Sequence, residues 1–178
     1  QNSLKISKDK IFHKKSLEWM IYAEKYRYVY NFKWMGLPII KYPNDILALQ
    51  EIIWSTKPDI IIETGIAHGG SIVFIASILN MINPKAKVIG IDLEIRDYNL
   101  REIKKNKFYK KNIKLIKGSS VDQKVISKIK KHINRKKVMV ILDSAHSHDH
   151  VLKELNIYSK LVSKNMFLIV EDTFEEFY

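Results

Sequence analysis

The stretch K-P-D-I-I-I-E-T-G-I-A-H-G-G-S, residues 57–71, decides the fold. Pro58 stops whatever helix precedes it, and Asp59 to Glu63 is a β-branched apolar run closed by an acid. A short run without polar alternation reads as a strand buried on both faces, which is the habit of parallel sheets. Glycines at 65, 69 and 70 let the chain turn closely, and Ser71 to Met81 is apolar on most sides, as in a helix packed on a sheet.

Working outward, the same unit repeats. Lys87 to Asp92, Asn112 to Lys117, Lys137 to Asp143 and Met166 to Glu171 are further buried-strand candidates. Val121 to His132 sets Val121, Val125, Ile129 and Ile133 along one helix face, and Val151 to Val162 brings Leu152, Leu155 and Leu161 near another. Strand and helix in alternation imply an α/β fold: a parallel sheet with right-handed crossovers and helices on both faces. The carboxyl ends of the strands then share the edge where open α/β sheets bind ligands. Glu63, Asp92, Asp143 and Glu171 each close a strand in this reading, so four acids are expected on one rim.

The front of the chain, 1–56, reads as a helical or lid segment, and 57–178 as the core, within one domain. Leu17 to Phe32 is an aromatic-rich helix candidate, and Trp34 to Pro43 a loop broken by Gly36, Pro38 and Pro43. Asn44 or Asp45 is expected to cap a helix running to Trp54. This section suits either a lid over the rim or an extra packing layer. Gln1 suggests numbering that starts inside a longer protein, and a sheet of this kind would normally continue past Tyr178 with a helix and two more strands, so C-terminal strands are expected to be missing.

The chain has 178 residues, 46% hydrophobic and 28% charged, as globular domains do. It has no cysteine, which removes disulfides and thiolate metal sites and fits a cytoplasmic setting. No apolar run reaches the ~20 residues of a membrane span, and no secretory leader is recognisable. The net charge of +12 draws the chain toward anions. Yet Lys104, Lys105, Lys107, Lys110, Lys111, Lys128, Lys130 and Lys131 are spread over helix faces without interleaved aromatics. A solvated face is the expectation, with no specific nucleic-acid partner; a homo-oligomer is allowed.

The turn E-T-G-I-A-H-G-G-S lacks the G-x-G-x-x-G spacing that cradles a pyrophosphate. Its form suits the methionine end of S-adenosylmethionine, with Glu63, Gly65, His68, Gly69 and Ser71 as binding candidates. Asp92 ends the second strand, where a carboxylate accepts ribose hydroxyls, although it also reads as a helix cap, with Glu94 and Asp97 as competitors. Ser119 and Ser120 follow the third strand at the place of an adenine edge; Ser120 with Gln123 equally makes a capping box. Asp143 with the pair Glu171-Asp172 gathers like charge on a rim. A hard divalent cation relieves that repulsion, and oxygen ligands favour Mg²⁺, although two capping carboxylates without a metal also fit. Such an ion would acidify a substrate hydroxyl. In D-S-A-H-S-H-D-H, residues 143–150, His146 lies one turn past Asp143 and suits a general base beside it. His148 and His150 read as supporting or surface residues, since histidines two apart on a helix diverge.

From Trp34 to Thr173 the chain resembles the cephalosporin hydroxylase/rhamnosyl O-methyltransferase family. The resemblance rests on W-M-G-L-P-I-I-K-Y-P-N-D (34–45), Q-E-I-I-W (50–54), the 57–71 stretch, V-I-G-I-D (88–92), G-S-S (118–120), V-M-V-I-L-D-S-A-H-S-H-D-H-V (138–151) and V-E-D-T (170–173). It implies a Rossmann-like fold, S-adenosylmethionine and a divalent metal, with Asp143, Glu171 and Asp172 as metal ligands and Asp92 as the ribose ligand. The layout is also similar to catechol O-methyltransferase, with His146 where that enzyme has a lysine. The implied activity is Mg²⁺-dependent O-methylation of a hydroxyl, with a sugar of a surface glycan or glycolipid as acceptor and Trp34, Tyr42 and Trp54 as stacking faces. The rival readings are a non-haem iron oxygenase built on the histidines and a basic anion-binding module without catalysis.

Overall fold

The computed structural model describes residues 2–173. A five-stranded parallel sheet is built from β3 (Ile60–Thr64), β4 (Lys87–Asp92), β5 (Ile113–Lys117), β6 (Val138–Leu142) and β7 (Leu168–Val170), in the order β5-β4-β3-β6-β7. Ahead of it, β1 (Lys33–Trp34) and β2 (Leu37–Pro38) form an antiparallel hairpin. Met35 and Gly36 between them both take positive φ, as a two-residue hairpin matched to strand twist requires. The helices are α1 (Asn2–Ile6), α2 (Lys10–Glu24), α3 (Pro43–Thr56), α4 (Gly70–Ile82), α5 (Asp97–Lys105), α6 (Tyr109–Asn112), α7 (Gln123–Ile133) and α8 (His148–Tyr158).

The sheet forms where isoleucine and valine are buried on both sides. Ile62 pairs with Ile89 on one side and Val140 on the other, and none of the three exceeds 1% exposure. Alternation then divides the core. Ile61 joins Ile72, Ile75, Leu79 and Ile53 on the α3–α4 face, whereas Ile60 and Ile62 join Val125, Ile129 and Tyr158 on the α7–α8 face. Helices thus cover both faces, as the pattern predicts. All eight lysines assigned to solvated faces are exposed.

Several local expectations are corrected. The first strand runs one residue further, to Thr64, so Glu63 does not close it. Glu63 shares the face of Ile61 and is fully buried beneath the rim, while Asp92, Asp143 and Glu171 stand at the strand ends. The α7 cap is Asp122, which accepts from the Lys124 amide at 2.6 Å, not Ser120. Neither Asn44 nor Asp45 caps α3; Pro43 occupies its first turn, where a missing N–H costs nothing. The aromatic helix begins earlier, at Lys10 behind an Asp9 cap, and ends at Glu24; Tyr28–Asn31 is a separate 3-10 turn. The front section does pack: Leu37, Ile39, Leu49 and Ile53 enter the α4 side of the core. No helix among the described residues is long and apolar enough to cross a membrane.

Candidate active site

Rightward from β3 the chain steps to β6 and β7, leftward to β4 and β5, so the strand order switches between β3 and β6. The crevice at that switch point, beyond the carboxyl ends, is where ligands bind in such sheets. Backbone bonds past the strand ends shape its rim: Gly65 N donates to Ile91 O at 2.7 Å, Asp143 N to Thr64 O at 3.0 Å and Glu171 N to Leu142 O at 3.0 Å.

Two adjoining cavities occupy the crevice. One, of about 330 Å³, is lined by the turn from Gly65 to His68, by Gly70 and Ser71, by Asp143, His146 and Asp172, and by Tyr30, Ile40 and Lys41 from the front. The other, of about 250 Å³, lies toward β5 and is lined by Leu93, Ser119, Ser120, Ala145 and His150. Gly65, Asp92 and Ser144 line both, so the two are halves of one groove. Each is near the size range of small-molecule sites.

Asp92 organises the groove's centre. Its Oδ2 accepts from the amides of Ile66 at 2.8 Å and Ala67 at 3.3 Å, and its Oδ1 from Glu94 N at 3.0 Å. It is therefore not a helix cap; the residue before α5 is Arg96. Asn99 supports the same turn by donating to Ala67 O at 2.7 Å. Under the second cavity, Ser120 Oγ meets His150 Nε2 at 3.1 Å, and Ser144 donates to buried Glu154 at 2.8 Å. Tyr158 donates to Ser120 O at 2.7 Å, fixing the serine loop from below.

The acidic half holds a residue that sequence reasoning did not single out. Lys41, its side chain 4% exposed, places Nζ 2.9 Å from Asp143 Oδ2 and 3.0 Å from Glu171 Oε1. Burial works against its charge, but Asp143, Glu171 and Glu63 outweigh that and hold its pKa above the ordinary lysine range. The available signal was a lysine in the apolar run Ile39-Ile40-Lys41-Tyr42, since a buried charge needs a partner. His146 Nε2 lies 3.4 Å from Asp172 Oδ2, and one ligand atom each of Asp143, His146 and Asp172 falls within 4.8 Å of the others. Glu171 faces Lys41 instead. His148 is exposed and paired to Asp149 at 3.2 Å, so the cluster around Asp143 contains one histidine, unlike the two of an iron facial triad.

The remaining candidates sort by depth. Gly65, His68 and Ser71 line the cavity, Gly69 turns into α4 at φ +89, and Glu63 lies below, accepting a hydrogen bond from Ser71 Oγ. Burial pushes the Glu63 carboxyl up to about 8 against the pull of Lys41, and its second oxygen has no hydrogen-bond partner among the described residues. A folded pKa raised above the unfolded value means stability present below ~4.5 and lost as pH rises through about 8. Urea unfolding should therefore show stability falling by roughly 2–4 kcal/mol between pH 5 and 8. Glu63→Gln should flatten that slope; an unchanged slope in the variant would reject the assignment. Trp34 and Tyr42 are not open stacking faces. Trp34 packs edge-on to Phe74 at 4.9 Å and donates to Ser77, Tyr42 is buried, and Trp54 is exposed but does not line the cavity, where the aromatic is Tyr30.

This strand order, with its glycine turn tied to the acid ending the next strand, is that of a Rossmann-like fold, which S-adenosylmethionine-dependent methyltransferases share with dinucleotide-binding proteins. A family model described as Rhamnosyl O-methyltransferase/CmcI matches residues 26–176, and the chain belongs to that family. The rhamnosyl O-methyltransferase of Mycobacterium bovis (strain BCG / Pasteur 1173P2) is 31% identical over 160 residues, covering 85% of this chain and 63% of the relative. That of Mycobacterium leprae (strain TN) is 30% identical over 142 residues, covering 79% and 59%. The chain thus spans about three fifths of the length of the curated relatives it matches. A structure of CmcI with Mg-SAM superposes with a TM-score of 0.58 at 22% identity, covering 81% of this chain and 58% of that one. CmcI with SAH gives 0.56 at 21%, covering 80% and 67%.

Proposed function

We propose that this chain is the core of an S-adenosylmethionine-dependent O-methyltransferase that uses a divalent cation, Mg²⁺ in the first instance, to present a sugar hydroxyl for methylation. The observation that carries the reading is the single groove joining the Asp92-anchored glycine turn to the Asp143 rim. The relatives named rhamnosyl O-methyltransferase and the CmcI structure with Mg-SAM support it.

The cofactor's methionine end would lie along Gly65, His68 and Ser71, its ribose against Asp92, and its adenine between Ser119, Ser120 and His150. The clustered ligand atoms of Asp143, His146 and Asp172 suit a divalent ion; Glu171, which shares Lys41 with Asp143, would complete an all-oxygen alternative with Asp143 and Asp172. When bound, the ion lowers the pKa of an acceptor hydroxyl. Asp143 and Asp172 position that acceptor; where the ion rests on the all-oxygen set, His146 is not a ligand, and its imidazole, bordering the same cavity, takes the proton, a general base contributing roughly 10²- to 10⁴-fold. Tyr30 at the cavity offers a face for a sugar ring. A surface glycan or glycolipid is the acceptor class, and the cysteine-free chain suits a reducing, cytoplasmic setting.

Calorimetric titration of S-adenosylmethionine into the full-length protein tests the donor. Micromolar binding is expected, weakened about 100-fold or more in Asp92→Ala, which loses charge-assisted hydrogen bonds and the turn they hold. Equal affinity in the variant would remove Asp92 from the cofactor site, and no binding to the folded wild type would remove the donor.

A further inference from the structure

We propose that Lys41 is a resident cation of the rim, seated in the arm formed by Asp143 and Glu171, and that it decides which carboxylates a divalent ion can collect. The inference rests on the reading of this rim as a cation site. Its ammonium lies 2.9 Å from one carboxylate and 3.0 Å from the other. An ion bonded at ~2.1 Å to those same two oxygens would need nearly the same space, so the two cations exclude one another there. Repulsion between like charges at such a distance in a part-buried site adds to the exclusion.

Lys41 is delivered by a packed segment. Ile39 N donates to Phe32 O at 3.1 Å, and Ile39 is 1% exposed. A Cβ on Gly70 would lie 2.1 Å from Pro38 O, so the segment rests directly on the first turn of α4. Two residues after Lys41, α3 begins. The backbone is thus held at both sides, and only the lysine side chain is left to withdraw.

Two ligand sets follow. With Lys41 seated, an ion is confined to Asp143, His146 and Asp172, whose ligand atoms lie within 4.8 Å of one another. That set contains an imidazole and suits Mg²⁺ poorly, whereas transition ions accept it, and Mn²⁺ tolerates nitrogen as well as oxygen ligands. With Lys41 withdrawn, Glu171 becomes available and Asp143, Glu171 and Asp172 offer oxygen alone, which suits Mg²⁺. Lys41 therefore biases the rim away from Mg²⁺, and filling the all-oxygen set displaces it.

The test uses the full-length protein, with Mn²⁺ followed by electron paramagnetic resonance and Mg²⁺ by its competition. Lys41→Met should bind Mg²⁺ at least tenfold more tightly than wild type, with a smaller gain for Mn²⁺, whereas Lys41→Arg should stay near wild type. Asp172→Asn reports on the site itself. If wild type binds no Mn²⁺, or Asp172→Asn leaves binding intact, the cation reading falls and takes this proposal with it. If Asp172→Asn abolishes binding but Lys41→Met leaves Mg²⁺ affinity equal or weaker, the proposal alone fails. A second readout needs no variant: amine acetylation mapped by mass spectrometry. Lys41 should be protected without metal and modified several-fold faster with saturating Mg²⁺; unchanged protection under bound Mg²⁺ would overturn the exclusion.

Discussion

Gly65→Ala is expected to destabilise the protein by about 3–5 kcal/mol, placing it among the most damaging single substitutions. Gly65 sits at φ +87, a conformation that costs an L-residue about 1–2 kcal/mol. The larger part is contact. An added Cβ would stand 1.8 Å from the Asp143 backbone oxygen and 2.7 Å from its carbonyl carbon, and neither can rotate away as a side chain would. Relief requires β3 and β6 to part at their carboxyl ends, which breaks the bond from Asp143 N to Thr64 O. Gly36 supplies the control: it has φ +88 but nothing within 4 Å of the added atom, so Gly36→Ala should cost only the strain, about 1 kcal/mol. Thermal and urea unfolding measure both. The melting temperature should fall by roughly 10 °C or more for Gly65→Ala and by a few degrees for Gly36→Ala. Equal, small losses at the two positions would mean that the crevice floor gives more easily than the packing implies.

The sheet was legible because its strands announce themselves locally. Ile60 to Ile62 and Val138 to Leu142 are apolar without alternation, and a parallel sheet covered on both faces makes that pattern. Likewise Asp92 and Asp143 could be placed, since a residue at a strand's carboxyl end lies on the binding edge whatever the rest of the chain does. What escaped depended on pairing across distance. Lys41 is 102 residues from Asp143, and the Ser120–His150 contact spans 30 residues, so no window of sequence contains either pair. The depth of Glu63 turned on one residue of strand length, because alternation sends each neighbour to the opposite face. The aromatic front misled for a related reason. Trp19, Tyr28, Phe32 and Tyr42 form a series of edge-on and tilted rings, with centroids 5.0–6.1 Å apart, but from two separate elements and two links between elements. Read along the chain, the first three fall within one helix-length stretch.

Asp143→Asn should reduce methyl transfer by roughly 10³-fold or more while leaving S-adenosylmethionine affinity within a few-fold. Asp143 is the one residue that belongs to both charge arrangements on the rim. It shares Lys41 with Glu171, and it supplies a ligand atom to the cluster with His146 and Asp172. Its amide is bonded to Thr64 O at 3.0 Å, so the backbone should hold its place when the carboxylate is neutralised. The substitution keeps size and one oxygen but removes the charge, and a neutral amide is a poor ligand for a hard cation. The cofactor side depends on different atoms, chiefly Asp92 and the amides it holds, 2.8 and 3.3 Å away. The two effects therefore separate. Transfer of the methyl label from S-adenosylmethionine to a glycan acceptor measures the first, and calorimetry the second. His146→Ala completes the comparison: under Mg²⁺, held by carboxylates alone, loss of the base should cost roughly 10²- to 10⁴-fold, while Mn²⁺, which also loses a ligand, should bind more weakly but not vanish, since Asp143 and Asp172 remain. Full turnover by Asp143→Asn with a metal chelator present would remove the cation from the mechanism. The rim acids would then serve only to hold Lys41, and catalysis would have to come from positioning of donor and acceptor.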